Sequence, residues 1–271
     1  MYNAVVCAIA KHENAYIAEW VEYYLTMGFD HIYLFDNNES TYPDVKEAIP
    51  EKYKKQVTII NIQDCWYDHI QSTCYKFFYE IYSNNFNWVA FFDIDEFLNL
   101  NGECDNNINK FLAQDKFKDF NQIRIKWQLF GDDGLLERDM SIPVHEFFKK
   151  PIFKLGFSNN TKIIIRGHMP EKLKAHCIHY VINETGNLWK TCLPSGRPIK
   201  DVSYAVRAGY DLEKVYLNHY ITKTLKEFIN IKMTRGDIWS PEINFSLDYY
   251  KKINKLTTEQ EQFLATIPYN K

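Results

Sequence analysis

The chain contains no long hydrophobic run. Its first apolar stretch, residues 4–10, is far shorter than the roughly 20 residues a bilayer requires, and no later stretch approaches that length without charges. The N-terminus, MYNAVVCAIAKHENAYIAEW, lacks the basic segment and small-residue cleavage site of a secretory signal. These absences lead to the expectation of a soluble, cytoplasmic protein. An excess of either charge is also missing: 32 Lys and Arg stand against 35 Asp and Glu, a formal charge of −3. That balance excludes the basic footprint of a nucleic-acid binder. Six cysteines are scattered without one C-x-x-C pair, which argues against a structural zinc site. In a reducing compartment they are expected to be free thiols, and the sequons at Asn38, Asn159, Asn183 and Asn244 then read as chance matches. Internal repeats and low-complexity tracts are absent as well.

What the chain does have is apolar and aromatic residues, 46% and 16% of the total. Its 271 residues suffice for one large domain with a sizeable core. Residues 3–10 form a short β-type run. Ile17, Trp20, Val21, Tyr24 and Leu25 then recur at helical spacing, with Asn14 as N-cap and Gly28 as stop. Strands are expected over 32–35 and 57–62, a helix over 72–84, and a strand through WVAFFDIDEF, residues 88–97. This alternation predicts an α/β fold with a mostly parallel sheet. Further on, 120–130, 161–166 and KAHCIHYVI (174–182) read as strands, and 184–198 as an exposed, turn-rich loop. A helix is expected over 224–233, and Thr258 with Glu261 suggests a capping box. Ligands of such sheets bind beyond the carboxyl ends of the strands. Lys11 and Glu13, Asp36 to Asn38, Asp64, and Asp93 to Asp95 all fall at those ends.

The run NWVAFFDIDEFLNL, residues 87–100, sets three acids in an apolar strand. Burying a carboxylate without a partner is expensive. On a strand Asp93 and Asp95 share one face. Both stay ionised if a cation lies beside them, and hard divalent ions such as Mg²⁺ or Mn²⁺ take such oxygen ligands. Loop capping, or pairing with Lys and Arg, would compensate the same charges.

Four segments in order, AIAKHENAYIAEWVEYYLTMGFDHIYLFDNNES, WVAFFDIDEFL, KWQLFGDDG and LNHYITKTLKEFINIKMTRG, resemble the family-2-like and family-92-like glycosyltransferases of the GT-A fold. The matched segments run from residue 4 to about 236, and 135–205 match only loosely. The resemblance implies a Rossmann-like mixed, mostly parallel sheet with helices on both faces. Residues 1–115 would form a nucleotide-sugar-binding half, and 116–271 an acceptor-binding and catalytic half of the same compact domain. It implies transfer of a sugar from a nucleotide-sugar, most often a UDP-sugar, to a hydroxyl of a saccharide or glycolipid, with inversion. Synthesis of cell-surface polysaccharide or lipopolysaccharide would be its setting, and a peripheral membrane contact near Lys251, Lys252 and Lys255 would suit it.

By the same resemblance, Mn²⁺ or Mg²⁺ would be held by Asp93 and Asp95, with His219 as a late ligand and His176 and His179 as competitors. Lys11, Glu13, Asp36 and Asp64, with Asp93, would hold the uridine and ribose. Lys232 and Arg235 would contact the diphosphate. The base that deprotonates the acceptor would come from the FGDDG turn, as Asp133 or Asp132, with Asp133 preferred. Trp127 beside that turn could stack on an acceptor sugar or belong to the core. Two rival readings use the same residues differently: a nucleotidyltransferase or phosphate-ester hydrolase, and a non-catalytic carbohydrate-binding protein.

Overall fold

The computed structural model describes residues 1–153, 159–169, 179–200, 213–236 and 245–267, and the backbone of 173–177. The first half runs β1 (Tyr2–Ala10), α1 (Asn14–Thr26), β2 (His31–Asp36), β3 (Val57–Asn61), α2 (Ile70–Tyr82), β4 (Phe86–Phe91), β5 (Glu96–Asn99) and α3 (Ile108–Leu112). The second runs β6 (Gln122–Phe130), α4 (Val144–Phe147), β7 (Pro151–Ile152), β8 (Thr161–Arg166), β9 (Leu173–Cys177), β10 (Tyr180–Asn183), β11 (Thr191–Cys192), β12 (Pro198–Ile199) and β13 (Tyr216–Tyr220). A helical segment from Leu225 to Arg235 follows, consisting of α5 (Leu225–Glu227), a π-helical turn (Phe228–Lys232) and α6 (Met233–Arg235). Helices α7 (Leu247–Ile253) and α8 (Thr258–Thr266) complete the described elements.

Strand β1 shows why the sheet forms. Its side chains alternate between two apolar faces, so it must be covered on both. Ala4, Val6, Ala8 and Ala10 pack in one cluster with Tyr16, Ile17, Trp20, Val21 and Tyr24 of α1. Val5, Cys7 and Ile9 pack in the other with Ile70, Cys74, Tyr75, Phe78 and Tyr79 of α2. Three alanines on the first face leave room for the large rings of α1, whose Trp20 and Tyr24 are wholly buried. The main sheet has the order β12-β11-β6-β8-β4-β1-β2-β3. Strands β3, β2, β1 and β4 are parallel, and β8 lies antiparallel between β4 and β6. The expected mixed, mostly parallel α/β sheet with helices on both faces is what the chain forms.

Strand β6 is shared. Gln122 to Lys126 pair with β8, and Trp127 to Phe130 pair with β13, which is antiparallel to β5 on its other side. Three turns therefore meet at one end of this smaller layer: Asp93–Glu96 before β5, Gly131–Gly134 after β6, and Ile221–Lys223 after β13.

Several expectations need correction. Residues 88–97 are not one strand: β4 stops at Phe91 and β5 starts at Glu96. The N-cap of α1 is Glu13, because the Asn14 side chain donates to the Pro43 carbonyl instead (2.9 Å). Residues 174–182 split into the antiparallel hairpin β9–β10. The 184–198 segment is not simply exposed, since Trp189, Cys192 and Leu193 are buried and β11 extends the sheet beside β6. The capping box near the C-terminus is Thr257 with Gln260, one residue earlier than expected. Free thiols are observed at Cys7, Cys65, Cys74, Cys104 and Cys192. Asn244 and the side chains of His176 and Cys177 lie outside the described residues. Among the described residues no helix is long and apolar enough to cross a membrane.

Candidate active site

The acids of D-I-D-E occupy a tight turn closed by the Glu96 amide donating to the Asp93 carbonyl (3.0 Å). Helix α1 braces this turn. Trp20 Nε1 donates to the Asp93 carbonyl (2.9 Å), Tyr24 donates to the Glu96 carbonyl (2.9 Å), and Tyr23 donates to the Leu98 carbonyl (2.6 Å). The turn breaks the strand alternation, so Asp93 and Asp95 do not share a face. Asp93 instead points with Glu96 toward Lys162 of β8. Lys162 Nζ lies 2.7 Å from Asp93 and 3.7 Å from Glu96, and Gln71 Nε2 donates to the other Asp93 oxygen (2.6 Å). Burial alone would discharge Lys162, but the two carboxylates outweigh it and raise its pKa. Burial likewise keeps the Glu96 carboxyl well above its ordinary value, only partly offset by Lys162.

Asp95 turns the other way. Lys232 Nζ lies 3.0 Å from its Oδ2 and donates to the Ile221 carbonyl (2.6 Å). His219 Nε2 lies 3.4 Å from its Oδ1. Burial would raise the Asp95 pKa, yet Lys232 and His219 hold it well below the usual carboxylate range. Burial also lowers His219, against the pull of Asp95, which favours the neutral, metal-ligating ring. The compensation that the sequence suggested for a divalent ion is thus already supplied to both aspartates by lysines. Among the described residues no three His, Cys, Asp or Glu side chains converge. The donor chemistry nevertheless fits a divalent cation at two points. Two adjacent ligands of an octahedral ion are about 3 Å apart, close to the Asp95–His219 separation. Asp93 has one oxygen on Lys162 and the other on Gln71. His179 is buried, with its Nδ1 donating to the Thr161 carbonyl (2.5 Å).

Arg235 joins this group to the end of β1. It pairs with buried Glu13 at 2.7 Å and donates to the Lys11 carbonyl (3.3 Å). Beyond Lys11 opens a cleft of about 340 Å³ lined by Lys11, Asn37, Asn38, Glu39, Asp64, Cys65 and Trp66. Asp36 is not in its wall. Its carboxylate accepts from the Asn38 and Val45 amides (3.0 and 3.2 Å) and so shapes the loop beneath. Asp64 sits at the rim in a left-handed conformation (φ 59°), accepting from the Ser40 amide (3.0 Å). Asn37 donates to the Cys65 carbonyl (2.8 Å), while its Oδ1 is buried without a partner. Glu39 is paired with Lys11 and His12. Burial opposes these contacts, but they carry its pKa down to about 2.

The FGDDG turn separates its two acids. Asp132 is buried. It accepts from Tyr250 (2.5 Å), Gln260 (2.6 Å) and the Gly134 amide (3.0 Å), and its own amide donates to Asn254 (3.0 Å). It ties α7 and α8 to the turn. Asp133 is exposed, at φ 52°, and Gly134 follows at φ 76°. Partial burial raises the Asp133 carboxyl above its ordinary value, partly offset by Lys150. Trp127 is a core residue, 9% exposed, its ring centroid 4.4 Å from that of His219 in an edge-on arrangement.

Sequence reasoning missed Lys162, Gln71, Trp66 and Lys223. Lys162 left a signal: in TKIIIR it falls on the same face as Ile164, so a cation on a buried strand face mirrors the acids of D-I-D. Comparison with solved structures found similarity to the WbbM bifunctional glycosyltransferase in its apo form, at 10% identity and a TM-score of 0.30, over 61% of this chain and 31% of that one. So distant a likeness carries no weight. Comparison with curated proteins found no match. The family comparison matches residues 2–263, nearly the whole chain, to glycosyltransferase family 92. On that coverage, the chain belongs to glycosyltransferase family 92.

Proposed function

We propose that the protein transfers a sugar from a UDP-sugar to a hydroxyl acceptor, with inversion, using a divalent cation. Family membership already sets aside the hydrolase, nucleotidyltransferase and binding-module readings. The observation that carries the finer reading is the adjacency of buried Asp95 and His219 at 3.4 Å, beside Lys232. From there Arg235 leads to the Lys11–Trp66 cleft. The cleft has the size for a nucleoside, a half-exposed indole (Trp66, 51%) for a flat base, and an unsatisfied acceptor, Asn37 Oδ1, for an imide N–H such as that of uracil. Lys232 and Arg235 would contact the diphosphate.

Asp95 and His219 would hold Mn²⁺ or Mg²⁺, which supplies charge stabilisation to the departing diphosphate. Asp133 would take the proton of the acceptor hydroxyl, and partial burial, which raises its carboxyl above the ordinary value, makes it the more basic for that role. Asp93, fixed by Lys162 and Gln71, would orient the ribose or sugar. A lipid-linked or polysaccharide acceptor at the inner face of the membrane fits the exposed Lys251, Lys252 and Lys255. Calorimetric titration of UDP with and without Mn²⁺ tests the donor and the ion together. Binding should tighten at least about tenfold with Mn²⁺, and Asp95→Asn should abolish the metal dependence. Equal affinity with and without the ion would remove the metal from the scheme.

A further inference from the structure

One more cation stands at this site, and the contacts above do not use it. Lys223 lies three residues past β13 and is 6% exposed. Its backbone is left-handed, φ 55°, a region that residues with side chains rarely adopt and that tends to persist at functional positions. It lines a cavity of about 10 Å³ together with Glu13, Tyr16, Thr222, Glu227, Lys232 and Arg235. The other charges there are matched. Glu13 pairs with Arg235 at 2.7 Å, Asp95 with Lys232 at 3.0 Å, and Glu227 with Arg138 at 3.1 Å. Among the described residues the Lys223 ammonium has neither a carboxylate nor a hydrogen-bond acceptor of its own. It lies over the Tyr16 ring, 4.3 Å from the centroid.

Burial disfavours the Lys223 ammonium, and Asp95, Glu13 and Glu227, which oppose that, are already paired with other cations; the left-handed backbone adds to the cost. Both are explicable if a further anion completes the group. We propose that Lys223 is a catalytic residue whose ammonium binds the diphosphate oxygen that leaves the sugar. The inference rests on the donor reading given above. The cavity holds about one water, so a single phosphate oxygen would replace that water while the remainder of the diphosphate stays at the mouth. In the transfer, the acceptor oxygen bonds to the anomeric carbon and its proton passes to Asp133. The bond from that carbon to the phosphate oxygen breaks, and its electron pair stays on that oxygen. Lys223 keeps its proton throughout and neutralises the charge that appears.

Two substitutions test this, Lys223→Met and Lys223→Gly, the second also suiting the left-handed backbone. Melting temperature, binding of inorganic pyrophosphate, UDP and uridine, and steady-state kinetics would be measured on each. The expected result is a melting temperature at or above that of the unsubstituted protein. Pyrophosphate and UDP should bind at least about tenfold more weakly, uridine should bind equally, and kcat should fall about 10²-fold. Lys223→Arg should recover part of the pyrophosphate affinity. Unchanged pyrophosphate affinity in folded Lys223→Gly overturns the inference, as does lowered stability with unchanged kcat. If the unsubstituted protein binds pyrophosphate but not UDP, the uridine reading falls while the Lys223 result still stands. If it binds neither, both fall.

Discussion

Lys162 is the residue on which the acidic turn depends. Its ammonium is the only cation paired with Asp93 and Glu96 among the described residues; Lys162 and Glu96 are wholly buried, and Asp93 is 29% exposed. Removing one member of such a group leaves uncompensated charge in the interior, which is far worse than replacing the whole group by apolar residues. Lys162→Met is therefore expected to cost about 3–5 kcal/mol, read as a drop in the urea midpoint. Adding Glu96→Gln to that variant should restore part of the loss, because the second carboxylate then no longer needs a partner. A loss under about 1 kcal/mol would mean that water reaches the turn. Residue-level legibility was uneven for a physical reason. Acids in an apolar run announce a buried charge, but the sequence does not state its partner. Lys162 lies 69 residues from Asp93, and only the antiparallel pairing of β4 with β8 brings them together.

At the level of elements, the clearest discrepancy is the D-I-D segment, read as strand and found as turn. Phe91, Phe92 and Phe97 are all buried, so hydrophobicity alone could not separate a continuous strand from two strands joined by a buried turn. The rings of α1 hold that turn, and these contacts span more than 70 residues of sequence. The FGDDG turn was located correctly, whereas the division of labour within it was not legible. It depends on Tyr250 and Gln260, which arrive from α7 and α8. Two neighbouring substitutions should therefore behave differently. Asp133→Asn should lower turnover by about 10²–10⁴-fold while leaving stability within about 0.5 kcal/mol. Asp132→Ala should instead cost about 1–3 kcal/mol by stranding buried donors. Denaturant melts alongside donor-hydrolysis and transfer assays would resolve the two, and an active Asp133→Asn enzyme would move the base elsewhere.

For the whole molecule, two opposing sets of buried groups govern the response to pH. Burial lowers the pKa of His31, His145 and His179, the last to about 4. In the pH window between the folded and unfolded values the unfolded chain holds protons that the native one refuses. Stability from these rings is thus full above about pH 6.5 and is lost as pH falls toward the folded values. Glu13 and Glu96 are raised by burial and run the other way: their contribution is full below about pH 4.3 and is lost as pH rises through the folded values. A difference measurement isolates one term. The stability gap between the unsubstituted protein and His179→Gln should narrow by about 3 kcal/mol between pH 7 and pH 4. A constant gap would place a charged ring in the native state.

The sheet as a whole was legible from alternating strand and helix periods. The sharing of β6 between two layers was not, because nothing in its nine residues marks where one partner gives way to another. That sharing has a mechanical corollary. Strand β13 has the D-I-D turn on one flank and the Asp133 turn on the other, and it carries His219 itself. On the proposed scheme, leaving group and incoming nucleophile would be gauged against a common strut, two inter-strand spacings or about 10 Å wide. Drift in the peripheral loops would then retune which sugars are accepted, while the reach of the proposed reaction would be set by backbone hydrogen bonds that no side-chain substitution removes.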